Sequence, residues 1–183
     1  TLNINSNTVT QNTLYGGGSA STSFYYMSII SSGNSASAIN IRSNIINSSN
    51  LATASFGGLA GFISNIGAGS SSTVTISDNT LSGFNYSGAT GGTGSSSFLG
   101  IDQEASPLNV VISNNEFNNI SLKNAGFTAI IYADNDAPNV TISSNFITTA
   151  FTCTSASTAG FTGIVNVGGA GTVTTGTQNV TNN

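Results

Sequence analysis

Four carboxylates form the one cluster in this chain whose residue types and spacing could do chemistry: Asp102, Glu104, Asp134 and Asp136. Two carboxylates roughly 5–10 Å apart can hydrolyse a glycosidic bond. Several acids on oxygen-rich loops can also hold Ca²⁺. The third interpretation is that all four are solvated turn residues. We favour this third interpretation because the two acids of each coil shortly precede a proline, Pro107 or Pro138. We therefore predict no catalytic residue and no cofactor, with Ca²⁺ as the alternative.

The rest of the composition excludes most other chemistry. Histidine is absent, so the commonest general base and metal ligand are missing. Arg42 and Lys123 are the only basic side chains, and the net charge is −4, so neither nucleic acid nor an anionic membrane is an expected partner. Cys153 is a lone cysteine, which excludes an internal disulfide. No apolar run is long enough to span a bilayer, so we predict no membrane insertion.

An eight-residue motif recurs along the whole chain, with a spacing of about 30 to 37 residues. Its copies occupy residues 2–9, 39–46, 74–81, 110–117, 140–147 and, more weakly, 173–180. Within each copy apolar and polar residues alternate, as in Val74, Thr75 and Ile76, which is the period of a β-strand. The abundant Thr, Val, Ser, Asn and Gly are poor helix residues, which argues against a helical repeat of similar length.

A second motif, a short apolar run that begins with Phe, lies between copies of the first. These runs occupy residues 24–30, 62–66, 98–101, 127–131 and 161–165. Aligning them on Ile30, Ile66, Ile101, Ile131 and Ile164 leaves about 10 or 11 residues to the centre of the next first motif. This alignment predicts that length variation collects at one edge, and it places Glu104 over Asp134.

Strands this short cannot bury their apolar side alone, but stacked repeats would place Ile on Ile and Phe on Phe. The pattern therefore predicts an all-β, single-stranded parallel β-helix of about five coils. We expect one domain over residues 1–183, either a complete solenoid or a segment of a longer one. Inside it we expect a stack of five phenylalanines, Phe24, Phe62, Phe98, Phe127 and Phe161.

The Ile-Ser-x-Asn corners, as in Ile76-Ser77-Asp78-Asn79 and Ile112-Ser113-Asn114-Asn115, resemble those of the right-handed parallel β-helix superfamily, the pectate-lyase-like fold. In that family, inward Asn side chains stack into a ladder at one corner of the coil. The resemblance implies a ladder of Asn7, Asn44, Asn79, Asn115 and Asn145, with Gln178 at the sixth step. Each ladder hydrogen bond would add about 0.5–1.5 kcal/mol.

Neither end of the chain carries an amphipathic helix or a charged cap, although open coil ends are unpaired strand edges. We therefore expect the chain to stack on copies of itself or to continue in a longer solenoid. The predicted function is a non-catalytic structural module at the cell surface or outside the cell, which builds a fibre or filament by end-to-end or lateral association, or an adhesin-like stalk. The alternative is a β-helix that binds or cleaves carbohydrate near Glu104 and Asp134.

Overall fold

The computed structural model describes residues 1–11, 14–16, 24–29, 36–48, 51–53, 59–87, 97–123, 128–148, 151–154, 161–168 and 176–183. All regular elements in these ranges are β-strands, which form four parallel sheets. No helical segment in this part of the chain has the length and apolar character that a bilayer crossing needs.

Successive strands are distributed over the four sheets in turn. Sheet A contains β1 (Leu2–Asn5), β5 (Ala38–Arg42), β9 (Thr73–Ser77), β13 (Asn109–Ser113), β17 (Asn139–Ser143) and β21 (Thr177–Thr181). Sheet B contains β2 (Thr8–Gln11), β6 (Ile45–Ser48), β10 (Thr80–Ser82), β14 (Glu116–Asn118) and β18 (Phe146–Ile147). Sheet C contains β3 (Leu14–Gly16), β7 (Leu51–Thr53), β11 (Asn85–Ser87), β15 (Ile120–Lys123) and β19 (Phe151–Thr154). Sheet D contains β4 (Phe24–Ile29), β8 (Leu59–Asn65), β12 (Ser97–Gln103), β16 (Thr128–Asn135) and β20 (Phe161–Gly168).

The chain therefore passes through sheets A, B, C and D five times, and β21 opens a sixth coil in sheet A alone. Each strand pairs in parallel with the strand one coil away. The predicted fold class, an all-β parallel β-helix of about five coils, is confirmed. Right-handed winding is the hand that parallel crossovers favour.

Side chains of equivalent positions stack into columns along the axis, and the core consists of these columns. In sheet A, the register places Ile41, Ile76, Ile112 and Ile142 over one another, and all four are fully buried. Because alternate residues of a strand face opposite sides, the column fixes which face of each motif is inside.

The sheet D column corrects one step of the sequence alignment. The predicted register of Ile101 over Ile131 and Ile164 is confirmed. In the coil before, Ile63 and not Ile66 pairs with Ile101, and Ile66 is 46% exposed. Ile30, the first member of the predicted alignment, lies outside the described residues. The spacing from this column to the next first motif is therefore not constant, because Ile63 lies three residues earlier than Ile66.

The predicted phenylalanine stack is wrong as a single column. Phe24 and Phe98 both pair with Ala60, and Phe161 pairs with Thr128, so Phe62 lies two residues further along. Of the five, Phe62 and Phe98 have described side chains; both are buried, and their rings meet edge to face at 6.1 Å between centroids. Phe127 lies outside the described residues. The observed cluster also includes Tyr26, Phe84 and Phe117, which the sequence reading did not assign to it.

Two glycines of sheet D occupy matched positions with opposite surroundings. Each directly precedes a core isoleucine of the column, Ile101 after Gly100 and Ile164 after Gly163. A Cβ atom on Gly100 would lie 2.5 Å from the carbonyl oxygen of Ile130 and 3.0 Å from a ring carbon of Phe117. A Cβ atom on Gly163 would have no heavy atom within 4 Å.

We expect Gly100→Ala to lower the free energy of unfolding by about 1–3 kcal/mol, because the added methyl overpacks the core. Gly163→Ala, the matched control, is expected to stay within about 0.5 kcal/mol of the wild type. Urea denaturation of both variants measures the difference. Equal losses at the two positions would contradict the described core packing.

Candidate functional site

The structure describes the side chains of three of the four carboxylates, and it places Asp102 and Glu104 in different surroundings. Asp102 lies on β12, where the register places it between Ser64 and Tyr132 of the neighbouring coils. Asp102 is only 1% exposed to solvent. Glu104 follows the same strand and is exposed to solvent. Buried Asp102 and exposed Glu104 therefore do not face a common solvent-filled site.

The other two acids lie on the next coil. Asp134 is on β16 opposite Val167, and its side chain is outside the described part of the structure. Asp136 is exposed, and its backbone N–H donates to the Ser106 hydroxyl at 3.1 Å. Among the described residues, no three His, Cys, Asp or Glu side chains group closely enough to hold a metal ion. Ca²⁺ binding and carbohydrate chemistry at these acids stay predictions.

The Asn ladder is a regular polar arrangement that runs through the described coils, and Asn79 shows its geometry. The backbone N–H of Asn79 and its Nδ2 both donate to Asn115 Oδ1 on the next coil, at 3.2 and 2.8 Å. Its Nδ2 also donates to the carbonyl oxygen of Ile41 on the preceding coil, at 3.0 Å. Asn79 Oδ1 in turn accepts two hydrogen bonds from Asn44. Every polar group of this buried amide is therefore paired.

The same pattern repeats from Asn7 to the end of the chain. The predicted members Asn7, Asn44, Asn79, Asn115 and Asn145 are all in the ladder. The prediction of Gln178 at the sixth step is wrong, because Asn183 accepts the two hydrogen bonds from Asn145, at 3.0 and 2.9 Å. Gln178 instead lies opposite Val140 and donates to the carbonyl oxygens of Ala137 and Pro138.

A left-handed residue directly precedes every ladder Asn. Ser6, Ser43, Asp78, Asn114, Ser144 and Asn182 have φ between 54° and 60°. This conformation turns the chain sharply from sheet A to sheet B, and it suits Asn and Asp better than most other residues. The corner between sheets B and C uses the same device, with φ of 78° at Gly83 and 50° at Asn119. The ladder Asn therefore forms the hydrogen bonds between coils, and the residue before it adopts the left-handed conformation of the turn.

A second buried amide pair, which the sequence reading missed, lies at the corner between sheets D and A. Asn65 Nδ2 donates to Gln103 Oε1 at 2.8 Å, and Gln103 Nε2 donates to the Ala105 carbonyl oxygen at 2.7 Å. The Asn65 carbonyl oxygen accepts the N–H groups of both Glu104 and Ala105. The sequence signal for this pair is an amide side chain two residues after the core isoleucine in both coils, Asn65 after Ile63 and Gln103 after Ile101. This pair fixes the backbone from which Glu104 projects.

The face of the solenoid at its C-terminal coil contains an apolar hollow of about 500 Å³. Ile131, Phe146, Ile147 and Ile164 contribute to its lining, and Asn183 lies at its side. Among the described strands, β21 extends sheet A alone, and none covers the core-facing side of β18 and β20. Gly163 enlarges the space, since the equivalent position one coil earlier is occupied by Ile130.

The chain matches no protein-family model, no curated protein and no solved structure. The likeness to the pectate-lyase-like superfamily therefore rests on the corner residues and the parallel β-helix architecture alone.

We expect Asn79→Ala to lower the free energy of unfolding by about 3 kcal/mol or more, because it removes the acceptor of two buried hydrogen bonds from Asn44 and the donor of a buried hydrogen bond to the Ile41 carbonyl oxygen. The matched control is Asn40→Ala, which removes one solvent-exposed amide bond to Asn3. The control should lose less than about 1 kcal/mol. Chemical denaturation compares them, and a small loss for Asn79→Ala would contradict a structural role for the ladder.

For the four acids, isothermal titration calorimetry with Ca²⁺ tests the alternative metal site. With no cofactor, the expected result is no binding heat and no rise in melting temperature. Heat that disappears in Glu104→Gln would contradict this. A glycan array of the wild type and Glu104→Gln tests the carbohydrate alternative in the same way.

Proposed function

We propose that this chain is a non-catalytic structural module that builds a fibre or stalk at the cell surface or outside the cell through end-to-end association. The observation that carries the proposal is the distribution of charge. Every charged side chain lies between Arg42 and Asp136. The first coil, β1 to β4, and the last strands, β17 to β21, contain none.

These charge-free coils coincide with the edges of the sheets. Among the described strands, β1 to β4 form one edge of the four sheets, and β18 to β21 form the other. Proteins usually protect such edges with charged side chains, prolines or covering segments, because an unpaired edge is a template for another strand. Absence of charge at both edges favours contact between copies.

Apolar side chains of the core columns reach the surface at the C-terminal edge. Ile147 continues the buried column of Leu81 and Phe117, yet it is 46% exposed. Val180 continues the column of Ile142 and is 47% exposed. Covering these side chains with a further coil would remove apolar area from water, at about 25 cal/mol per Å².

Because all strands run in the same direction, the contact between copies has a direction. All strands run parallel, and each ladder Asn donates to the next coil, so the two edges of the molecule are not equivalent. Stacking the C-terminal edge of one copy on the N-terminal edge of the next continues the parallel pairing. Such a head-to-tail contact does not close on itself, and the expected product is a filament.

The location outside the cell rests on the resemblance to surface β-helix proteins, and secretion of the parent protein tests it. The assembly itself does not depend on that location.

Ile147→Asp is expected to abolish the association, because it places a carboxylate in the uncovered apolar hollow. Ile45→Asp is the matched control, since Ile45 is 48% exposed but lies on the outward face of β6, which is paired on both sides and does not line the hollow. Sedimentation velocity and negative-stain electron microscopy of the wild type should show oligomers or filaments. A wild type that stays monomeric at high concentration would contradict the proposal, as would equal effects of the two substitutions.

A further inference from the structure

We infer that Asn119 is an acceptor for an N-linked glycan, whereas Asn139, which carries the same sequence signal, is not. This inference rests on the proposed location outside the cell, because such a glycan is added in a secretory pathway. The signal is Asn-x-Ser/Thr. In a chain this rich in Asn, Ser and Thr, copies of it arise by chance, so their surroundings must distinguish them. The copies begin at Asn47, Asn85, Asn119, Asn139 and Asn179.

Two of these copies, residues 119–121 and 139–141, can be compared directly. Their side chains are described, and the strands that contain them, β15 and β17, are paired on both sides. In the copies at Asn47 and Asn85, Ser49 and the side chain of Asn85 lie outside the described residues. Asn179 is on β21, which pairs with β17 alone among the described strands. The argument therefore uses the first two copies.

Asn119 and Ser121 both face solvent. Asn119 is the single residue between β14 and β15, where its φ of 50° turns the chain from sheet B to sheet C. Ile120 is fully buried, and Asn119 and Ser121 on either side of it are exposed. Because alternate residues of a strand face opposite sides, the amide and the hydroxyl of this copy of the signal lie on the same outer surface.

The corner beside Asn119 has room for a sugar. Ser82 pairs with Asn118, and the N–H of Gly83 donates to the Asn118 carbonyl oxygen at 3.1 Å, so Gly83 is the equivalent of Asn119 on the preceding coil. Gly83 has no side chain to occupy this space. Asn119 Nδ2 donates to Asn118 Oδ1 at 3.4 Å. Glycosylation replaces one of the two Nδ2 hydrogens, so this bond can remain.

Asn139 belongs to a second side-chain ladder, on the outer face of sheet A. Its Nδ2 donates to Asn109 Oδ1 at 3.1 Å and to the Leu108 carbonyl oxygen at 3.4 Å. Its Oδ1 accepts the N–H of Thr177 at 3.2 Å, and Asn109 Nδ2 in turn donates to Thr73 Oγ1 at 3.0 Å. A glycan on Asn139 would break at least one of the Nδ2 bonds and place a sugar ring between neighbouring coils. The folded chain therefore disfavours modification there.

The donor is a lipid-linked oligosaccharide diphosphate. Asn119 Nδ2 forms a bond to the anomeric carbon of the first sugar, and the bond from that carbon to the diphosphate oxygen breaks. The lipid diphosphate leaves with the bonding electron pair, and the amide nitrogen loses one proton. The host oligosaccharyltransferase recognises the Ser121 hydroxyl two residues after the acceptor.

The position of Asn119 suits the proposed assembly. A glycan at the corner between sheets B and C projects sideways from the axis, so it does not cover the strand edges that stack end to end. Charged residues make up only 4% of the chain, against about 25% in typical soluble domains. A solubilising glycan would supply hydration on the side of the solenoid.

Expression of the chain behind a cleavable signal peptide in a eukaryotic cell line tests the inference. Digestion after acidic residues releases residues 117–134, in which Asn119 is the only acceptor signal. Treatment with an N-glycosidase, which converts a glycosylated Asn to Asp, then locates the glycan by mass spectrometry. We expect a glycan on Asn119 in most secreted molecules and none on Asn139.

Ser121→Ala and Thr141→Ala form the matched pair, because each removes the hydroxyl of one signal and leaves its Asn in place. Ser121→Ala should lose the glycan of residues 117–134 completely, and Thr141→Ala should keep the wild-type mass apart from the substitution. Asn119→Asp, which retains a residue that tolerates the left-handed conformation, should lose the glycan as well.

Unmodified Asn119 in wild-type chains that have entered the pathway, whether secreted or retained, would overturn the inference. A glycan on Asn139 in the secreted protein, or the same glycan pattern in both alanine variants, would also overturn it. Sedimentation of the same material tests the proposed assembly separately. Filaments without a glycan on Asn119 would overturn this inference alone, whereas a glycan on Asn119 without self-association would support it and overturn the assembly.

Discussion

The hydrogen bond from one Asn to the next sets the register of the whole solenoid. Steps between successive ladder residues range from 30 to 38 residues along the chain. Despite this variation, the bonds between ladder side chains stay between 2.8 and 3.0 Å. Coil length therefore does not determine how the coils stack. The left-handed residue and the buried amide at each corner return the chain to the same place, and loops elsewhere absorb the difference.

The same interaction gives the molecule a direction. Between ladder residues, each Asn donates to the Oδ1 of the Asn on the next coil and accepts from the Asn on the preceding coil, so the two edges expose different groups. Core columns that are closed by stacking inside the molecule are open at the last coil, where Ile147 and Val180 are half exposed. Charged side chains are confined to the middle coils, so they oppose lateral contact and leave the edges free to associate. Direction, open columns and neutral edges together support the proposed head-to-tail assembly.

The sequence predicted the fold well because the corner motif is local. The signal consists of only two residues, a Ser, Asp or Asn followed by the ladder Asn. Five of the six predicted ladder members are confirmed. The sixth was assigned to Gln178 from the weaker motif copy at residues 173–180, although Val180-Thr181-Asn182-Asn183 matches the corner more closely. Columns without a corner signal were harder. In sheet D, equivalent positions of three successive coils are occupied by Phe62, Gly100 and Ile130. Neither the size nor the type of the residue therefore marks the register. The surroundings of the acids were hard to predict for a related reason, because sequence spacing gave no information that Asp102 is buried and Glu104 exposed.

The most direct test of the account is the salt dependence of self-association in the unmodified chain. Sedimentation equilibrium between about 0.05 and 0.5 M NaCl changes the Debye length from about 14 to 4 Å and so screens charged contacts strongly. Contact through the charge-free terminal coils predicts an association constant that stays the same or rises slightly over this range. An association constant that falls steeply with salt would place the contact at the charged middle coils and contradict end-to-end assembly.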